Sequence, residues 1–242
     1  DTEKGDAMTE KPEIIQADEI EQGDGKEEVS QSLVVPKEVL PDELFIIPLF
    51  DRPSFPKMMG PVIIDDLRIQ QVLMQQKEKK GPMYVALLLT IPTDDGMVSQ
   101  PQSGDDFFKV GVVARVVQVS PPGEKNSLQL LVQGIERFNV KSVVRKGPLF
   151  SAKVEYWEEK DIVDNSEELK AYSVAIIDCI KELVNLNPLF KEGLSLLLER
   201  VNLSDPGSLA DFAASMTTST GVEIQKILEI EPVRDRMEAV LV

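Results

Sequence analysis

The sequence predicts an α+β fold, β-rich first and helical after, on three observations. Short apolar runs with strand-like spacing crowd residues 44–158, with one helical stretch among them. Beyond Glu158-Glu159-Lys160-Asp161 every segment carries helical spacing. Ahead of both, residues 1–43 hold 14 acidic and four basic side chains and few large apolar ones. The chain therefore divides into an acidic tail expected to be disordered (1–43), a β-rich unit with one main helix (44–158) and an all-α helical bundle (159–242).

The first strand is read over Phe45 to Leu49. A loop at 52–61 follows, stiffened by Pro53, Pro56 and Pro61 and carrying Phe55, Met58 and Met59. Proline fixes φ and lacks a donor, so this segment resists joining a central strand. Asp65 or Asp66 can cap a helix over 66–79, with Ile69, Val72, Leu73 and Gln76 inward and Gly81-Pro82 as its stop. Tyr84 to Ile91 reads as a fully buried strand, and 92–106 as a loop bearing Met97. Its Asp94, Asp95, Asp105 and Asp106 match no calcium-loop spacing.

Two long strands, Phe107–Val119 and Ser127–Val143, flank a turn at Pro121 to Asn126. Gly111 and Gly134 inside them predict bulges or close backbone approaches. Phe150, Ala152, Val154 and Tyr156 alternate with Ser151, Lys153, Glu155 and Trp157, the period of a half-buried strand. In the helical part Asn165 and Ser166 can cap a helix striped by Leu169, Tyr172, Ile176, Ile180 and Leu183, with Cys179 expected to pack beside it. Asn187-Pro188 and Asp205-Pro206 open the next two helices, the second packing Leu209, Phe212, Ala213 and Met216. Thr220 and Glu223 form a capping box for a fourth. Pro232 begins a fifth, whose inward Val233, Met237, Val240 and Leu241 predict a helix that continues past Val242.

Composition excludes most chemistry. The chain has no histidine and one cysteine, so triads and metal sites built on histidine, and disulfides within the chain, are ruled out. Its net charge is −16, of which −10 falls in the tail. Neither part offers the basic stripe that nucleic-acid phosphates require, and no apolar run is long enough for a membrane span. No secretory signal is visible, and the first residue, Asp1, suggests that an earlier segment has been removed.

Five segments resemble, in order, the N-terminal region of the Lon family of ATP-dependent proteases. They are Leu44 to Ile64; Lys109 to Val116; Leu131 to Phe138, with its Gly134 and Arg137; Leu186 to Phe190; and Asp205 to Phe212, with its Leu209-Ala210-Asp211. Phe50 departs from the pattern, which places Arg after Pro-Leu. The resemblance implies a PUA-like β-barrel or sheet unit followed by the helical bundle. It also implies a parent chain that uses ATP and magnesium, cleaves protein by Ser-Lys chemistry and forms a hexamer, in a bacterial cytoplasm or a mitochondrial matrix.

For the present residues no cofactor is expected. The implied role is to recruit unfolded or damaged proteins and to assist assembly, the chain alone being a monomer or weak dimer. Recruitment needs adaptable apolar groups on a rigid base, and methionine conforms to many partners. Phe55, Met58, Met59 and Met97 are the candidates. A free-standing adapter or ligand-binding module is the alternative.

Overall fold

Strand-forming residues pair into one six-stranded mixed sheet: β1 (Glu43–Leu49), β2 (Met59–Ile64), β3 (Met83–Leu89), β4 (Val110–Ser120), β5 (Leu128–Lys146) and β6 (Leu149–Tyr156). This computed structural model describes residues 39–77, 81–93, 96–120, 126–147, 149–157, 167–186 (backbone only over 183–186) and 205–242. Residues 1–38 of the acidic tail, the turn at 121–125, the Asn165-Ser166 cap and the helix expected after Asn187-Pro188 lie outside the described residues. The end of the tail, placed at 43 from sequence, is already ordered, with the Asp42 carbonyl accepting the Val154 N–H at 3.0 Å and Glu43 opening β1.

The strand order is β2-β5-β4-β3-β1-β6, and β6 also pairs with β5. The pairings β5-β4-β3-β1-β6-β5 thus close on themselves. β1 and β3 are parallel, from Phe45 opposite Val85 to Leu49 opposite Leu89, and the other pairs are antiparallel. Closure depends on β5. Its first residues pair with β2 and β4, its last with β6, and register shifts near Val113/Ala114, Val116/Gln118 and Val140/Ser142 bend it between the two jobs.

The central strands are buried on both faces. Ile47, Val85, Leu87, Leu128 and Leu130 pack with Ile69 and Leu73 of α1 (Leu67–Lys77), while Leu44, Ile46, Ala86, Leu88, Phe107 and Phe138 fill the other cluster. Asp66 starts α1. Its carboxylate accepts the Arg68 N–H at 2.8 Å, and the Arg68 guanidinium holds its pKa down at about 2.

The helical part contributes α2 (Glu167–Leu186), α3 (Pro206–Met216), α4 (Gly221–Leu228) and α5 (Val233–Leu241). The caps read from sequence are in place. Asp205 accepts the Gly207 N–H ahead of Pro206, and Thr220 and Glu223 bond reciprocally. Leu169, Ile176 and Ile180 of α2 pack with Leu209, Phe212 and Met237. These helices also share a cluster with the sheet, in which Val110 and Val112 meet Ala214, Ile224 and Leu228, so that Val39–Val242 is one compact unit.

Two expectations need correction. Cys179 is exposed rather than packed, because it falls on the solvent side of the Ile176–Ile180 stripe. Met59 to Pro61, read as the end of a loop, are strand. Proline breaks a central strand, but β2 has only β5 beside it among the described strands, and an edge tolerates a missing donor.

Candidate functional site

The loop after β1 is held down at both ends. The Lys57 N–H donates to the Gly134 carbonyl at 3.0 Å, and the Gly134 N–H donates to the Met58 carbonyl at 2.8 Å. Arg52 Nη2 donates to the Thr217 carbonyl at 2.6 Å, and Lys57 Nζ meets Asp205 at 2.7 Å. These contacts pin one short segment to a strand and to the helical part together.

Two glycines are needed for that fit. A Cβ on Gly134 would press into the Phe55 carbonyl oxygen, and one on Gly221, at the start of α4, into that of Asp51. Gly134→Ala is therefore expected to destabilise the chain by about 1–3 kcal/mol, since neither backbone can yield cheaply. A urea midpoint indistinguishable from the parent would contradict this close approach.

Phe55 accordingly is not a surface group. It is 2% exposed and packs against Val110, Val112, Ala214, Ile224 and Leu228. Met58 is half-buried against the same cluster and the helical one. The physical reason is the anchoring just described, which turns the loop's apolar face inward. Of the four candidates Met59, 39% exposed, and Met97, 67% exposed, are the two that stand largely in solvent.

Beneath the loop lies a cluster that sequence reasoning did not single out. Arg137 of β5 is fully buried; its Nη2 donates to Asp211 of α3 at 2.5 Å and its Nε to the Leu228 carbonyl at 3.1 Å. Its guanidinium lies 5.7 Å from the Trp157 ring centroid. Arg236, also buried, brings its Nε to 3.5 Å from the same Asp211 oxygen. Gln225 donates to the Val110 carbonyl at 3.0 Å. A charge inside an apolar run, Arg137 beside Phe138 and Asp211 between Ala210 and Phe212, was the available signal. The arrangement clamps sheet to helices.

Asp205 carries a pH-dependent part of that clamp. Burial pushes its carboxyl up, but the Lys57 ammonium, the Ser208 hydroxyl and the Gly207 N–H outweigh burial and hold it below the ordinary 3.8. A lowered folded-state pKa gives stability that is complete above the ordinary value and lost as pH falls through the folded one. Asn caps helices as well as Asp does, so Asp205→Asn isolates the charge. Its urea midpoint should fall short of the parent's near pH 7, and the gap should close as pH falls below the ordinary 3.8 and through the lowered folded-state value. A gap of constant size across that range would contradict the assignment.

Exposed apolar groups lie elsewhere. Ile63 on β2 is 65% exposed, and Leu67 and Met74, seven residues apart on one face of α1, are exposed as well. Phe50, Ile91, Met97 and Val98 form a second exposed set where parallel β1 and β3 end. Among the described residues no three His, Cys, Asp or Glu side chains gather as metal ligands, and no helix is long and apolar enough to cross a membrane.

A family model described as the ATP-dependent protease La (LON) substrate-binding domain matches residues 43–242. The chain belongs to the Lon substrate-binding domain family. Lon protease 1 of Syntrophotalea carbinolica is 36% identical over 246 residues, covering 100% of this chain and 29% of that protein. Lon protease of Chlamydia pneumoniae is 37% identical over 204 residues, 84% of this chain and 24% of that one. The chain thus spans about a quarter of the length of these relatives.

Among solved structures, the N-terminal domain of Mycobacterium avium complex Lon protease superposes with a TM-score of 0.60 at 19% identity, over 82% of this chain and 96% of that one. The Lon N-terminal domain protein from Xanthomonas campestris gives 0.56 at 16%, with the same coverage. At such identities these two likenesses speak for the Lon N-terminal fold alone. Both Arg137 and Asp211 lie within the span that the Lon family model matches.

Proposed function

We propose that this chain recruits unfolded or damaged protein for an ATP-dependent protease of which it is one region. The observation that carries the reading is the exposure of Met59 and Ile63 on one face of β2, whose Val62 and Ile64 are anchored in the core from the other face, with Leu67 and Met74 exposed on α1. Unfolded chains display apolar side chains that folded ones bury, and flexible methionines adapt to many of them. Met97 with Ile91 and Val98 supplies a second foothold. Phe55 and Met58 serve from below by fixing the strand that carries Met59.

The finer parts of the reading are that the closed strand circuit is PUA-like, that the helices act as a bundle assisting assembly, and that the parent is a hexamer using ATP, magnesium and Ser-Lys chemistry in a bacterial cytoplasm. The ATP-dependent protease and the bacterial setting rest on the family match and the relatives' names, and the other parts on the resemblance of the five segments. Reduced, carboxymethylated α-lactalbumin should bind the 242-residue chain and compete with other unfolded proteins, while native α-lactalbumin should not. Equal binding of both forms, or of neither, would refute recruitment.

A further inference from the structure

We propose that β2 is a docking edge on which an extended stretch of unfolded polypeptide adds as a further strand. The idea rests on the recruiting role above and says how that role is performed. Among the described strands every one but β2 has partners on both sides within the closed circuit β5-β4-β3-β1-β6; β2 pairs with β5 alone.

The hydrogen bonds indicate which of its groups face outward. The Met58 carbonyl accepts from Gly134 of β5, and the Ile64 carbonyl shares Gln70 Nε2 with the Asn126 carbonyl just ahead of β5. Alternation then turns Gly60, Val62 and Ile64 toward β5, and Pro61 and Ile63 away from it. Pro61 fits this phase, because its missing donor costs no ladder bond on the outer side. The outer edge thus offers the Pro61 carbonyl and both the N–H and the carbonyl of Ile63.

Soluble proteins usually blunt such an edge with charge, a bulge or a cover. Met59-Gly60-Pro61-Val62-Ile63-Ile64 contains no charged residue, and the Ile63 side chain stands mostly in solvent. An extended backbone is the occupant whose donors and acceptors repeat at the edge's own spacing. A second copy of β2 fits poorly. Antiparallel pairing of two outer edges sets outward residues opposite one another, so Pro61 would face Pro61 or Ile63 of the other copy and each copy would lose a donor bond. Six residues also span only ~20 Å, too short a strip to bury the ~800 Å² per partner of a stable interface. A heterologous, short-lived guest matches what the edge offers.

The chemistry of the guest follows. Two or three backbone bonds select no sequence, and the exposed Met59 and Ile63 side chains favour apolar or β-branched residues on one face of the added strand. A folded protein has no free extended segment to give, so the edge discriminates by conformation. Affinity is modest, which suits a guest that must be handed on.

A fluorescein-labelled ten-residue peptide of alternating threonine and valine tests the idea, bare, N-methylated at every odd position, or N-methylated at every position. Methylation at odd positions alone is expected to weaken binding to the chain less than about threefold, because the peptide can turn its other edge to β2, and methylation at every position about tenfold, because no N–H is left for that edge. Ile63→Lys should also weaken the bare peptide about tenfold while leaving the thermal midpoint within a few degrees. Equal binding of the bare and fully methylated peptides, unchanged binding to the Ile63→Lys chain, or a β2-paired dimer in sedimentation that the peptide does not displace would overturn the proposal. If carboxymethylated α-lactalbumin still binds in that event, recruitment stands and only the added strand is lost; if it does not bind, recruitment itself fails.

Discussion

Replacing Asp211 with alanine is expected to cost about 3–5 kcal/mol, because it leaves two buried guanidinium groups facing an empty site. Arg137 and Arg236 both approach one Asp211 oxygen, and both are essentially inaccessible to water. The pair is not expected to be a large net source of stability, since desolvation offsets much of the attraction. Its removal from one side only is what is costly. The triple change Arg137→Met, Asp211→Leu, Arg236→Met should therefore recover most of the loss. Urea unfolding of the three chains decides it. A single Asp211→Ala change within about 1 kcal/mol of the parent would contradict the clamp.

Phe55→Ala should be comparably damaging, at about 3–5 kcal/mol, with a fall in Tm of roughly 10 °C. The phenyl ring fills a cavity walled by β4 residues on one side and by α3 and α4 on the other, so its loss opens the joint between sheet and helices. The surrounding backbone cannot collapse onto the gap while Gly134 and Thr217 hold the loop. Met59→Ala, by contrast, should leave Tm within a few degrees, because that side chain is partly in solvent already. A scanning-calorimetry series of the two variants separates the core half of the loop from its surface half.

Much of this architecture was legible in the residues. The order of strands up to Tyr156 before helices from Glu167, the burial of Val85 to Leu89 in β3, the close approach at Gly134, and the caps at Asp205 and Thr220 all follow from local patterns, whereas Ile91, read as the end of that buried strand, is exposed. What local patterns do not carry is which neighbour an element meets. The face of Phe55 depends on Gly134, nearly eighty residues away, and on α3 and α4 farther still. Met59 to Pro61 looked like loop because proline breaks most strands, and only the closure of the other five leaves an edge where it is harmless. Arg137 and Asp211 each stood in a segment with family resemblance, and their meeting across 74 residues is a tertiary fact. Cys179 shows the same limit in small, since a residue at the margin of a helical stripe is buried or not according to what packs there.

The central claim is that the proline loop is a structural wedge and that polypeptide is taken up on the strand and helix beyond it. Amide hydrogen exchange of the 242-residue chain, with and without saturating carboxymethylated α-lactalbumin, tests it most directly. Added protection is expected across residues 59–74 and none at 52–58, where Phe55 is packed inward and the Lys57 N–H is already bonded to the Gly134 carbonyl. Added protection confined to 52–58, or none anywhere in 59–74, would contradict it.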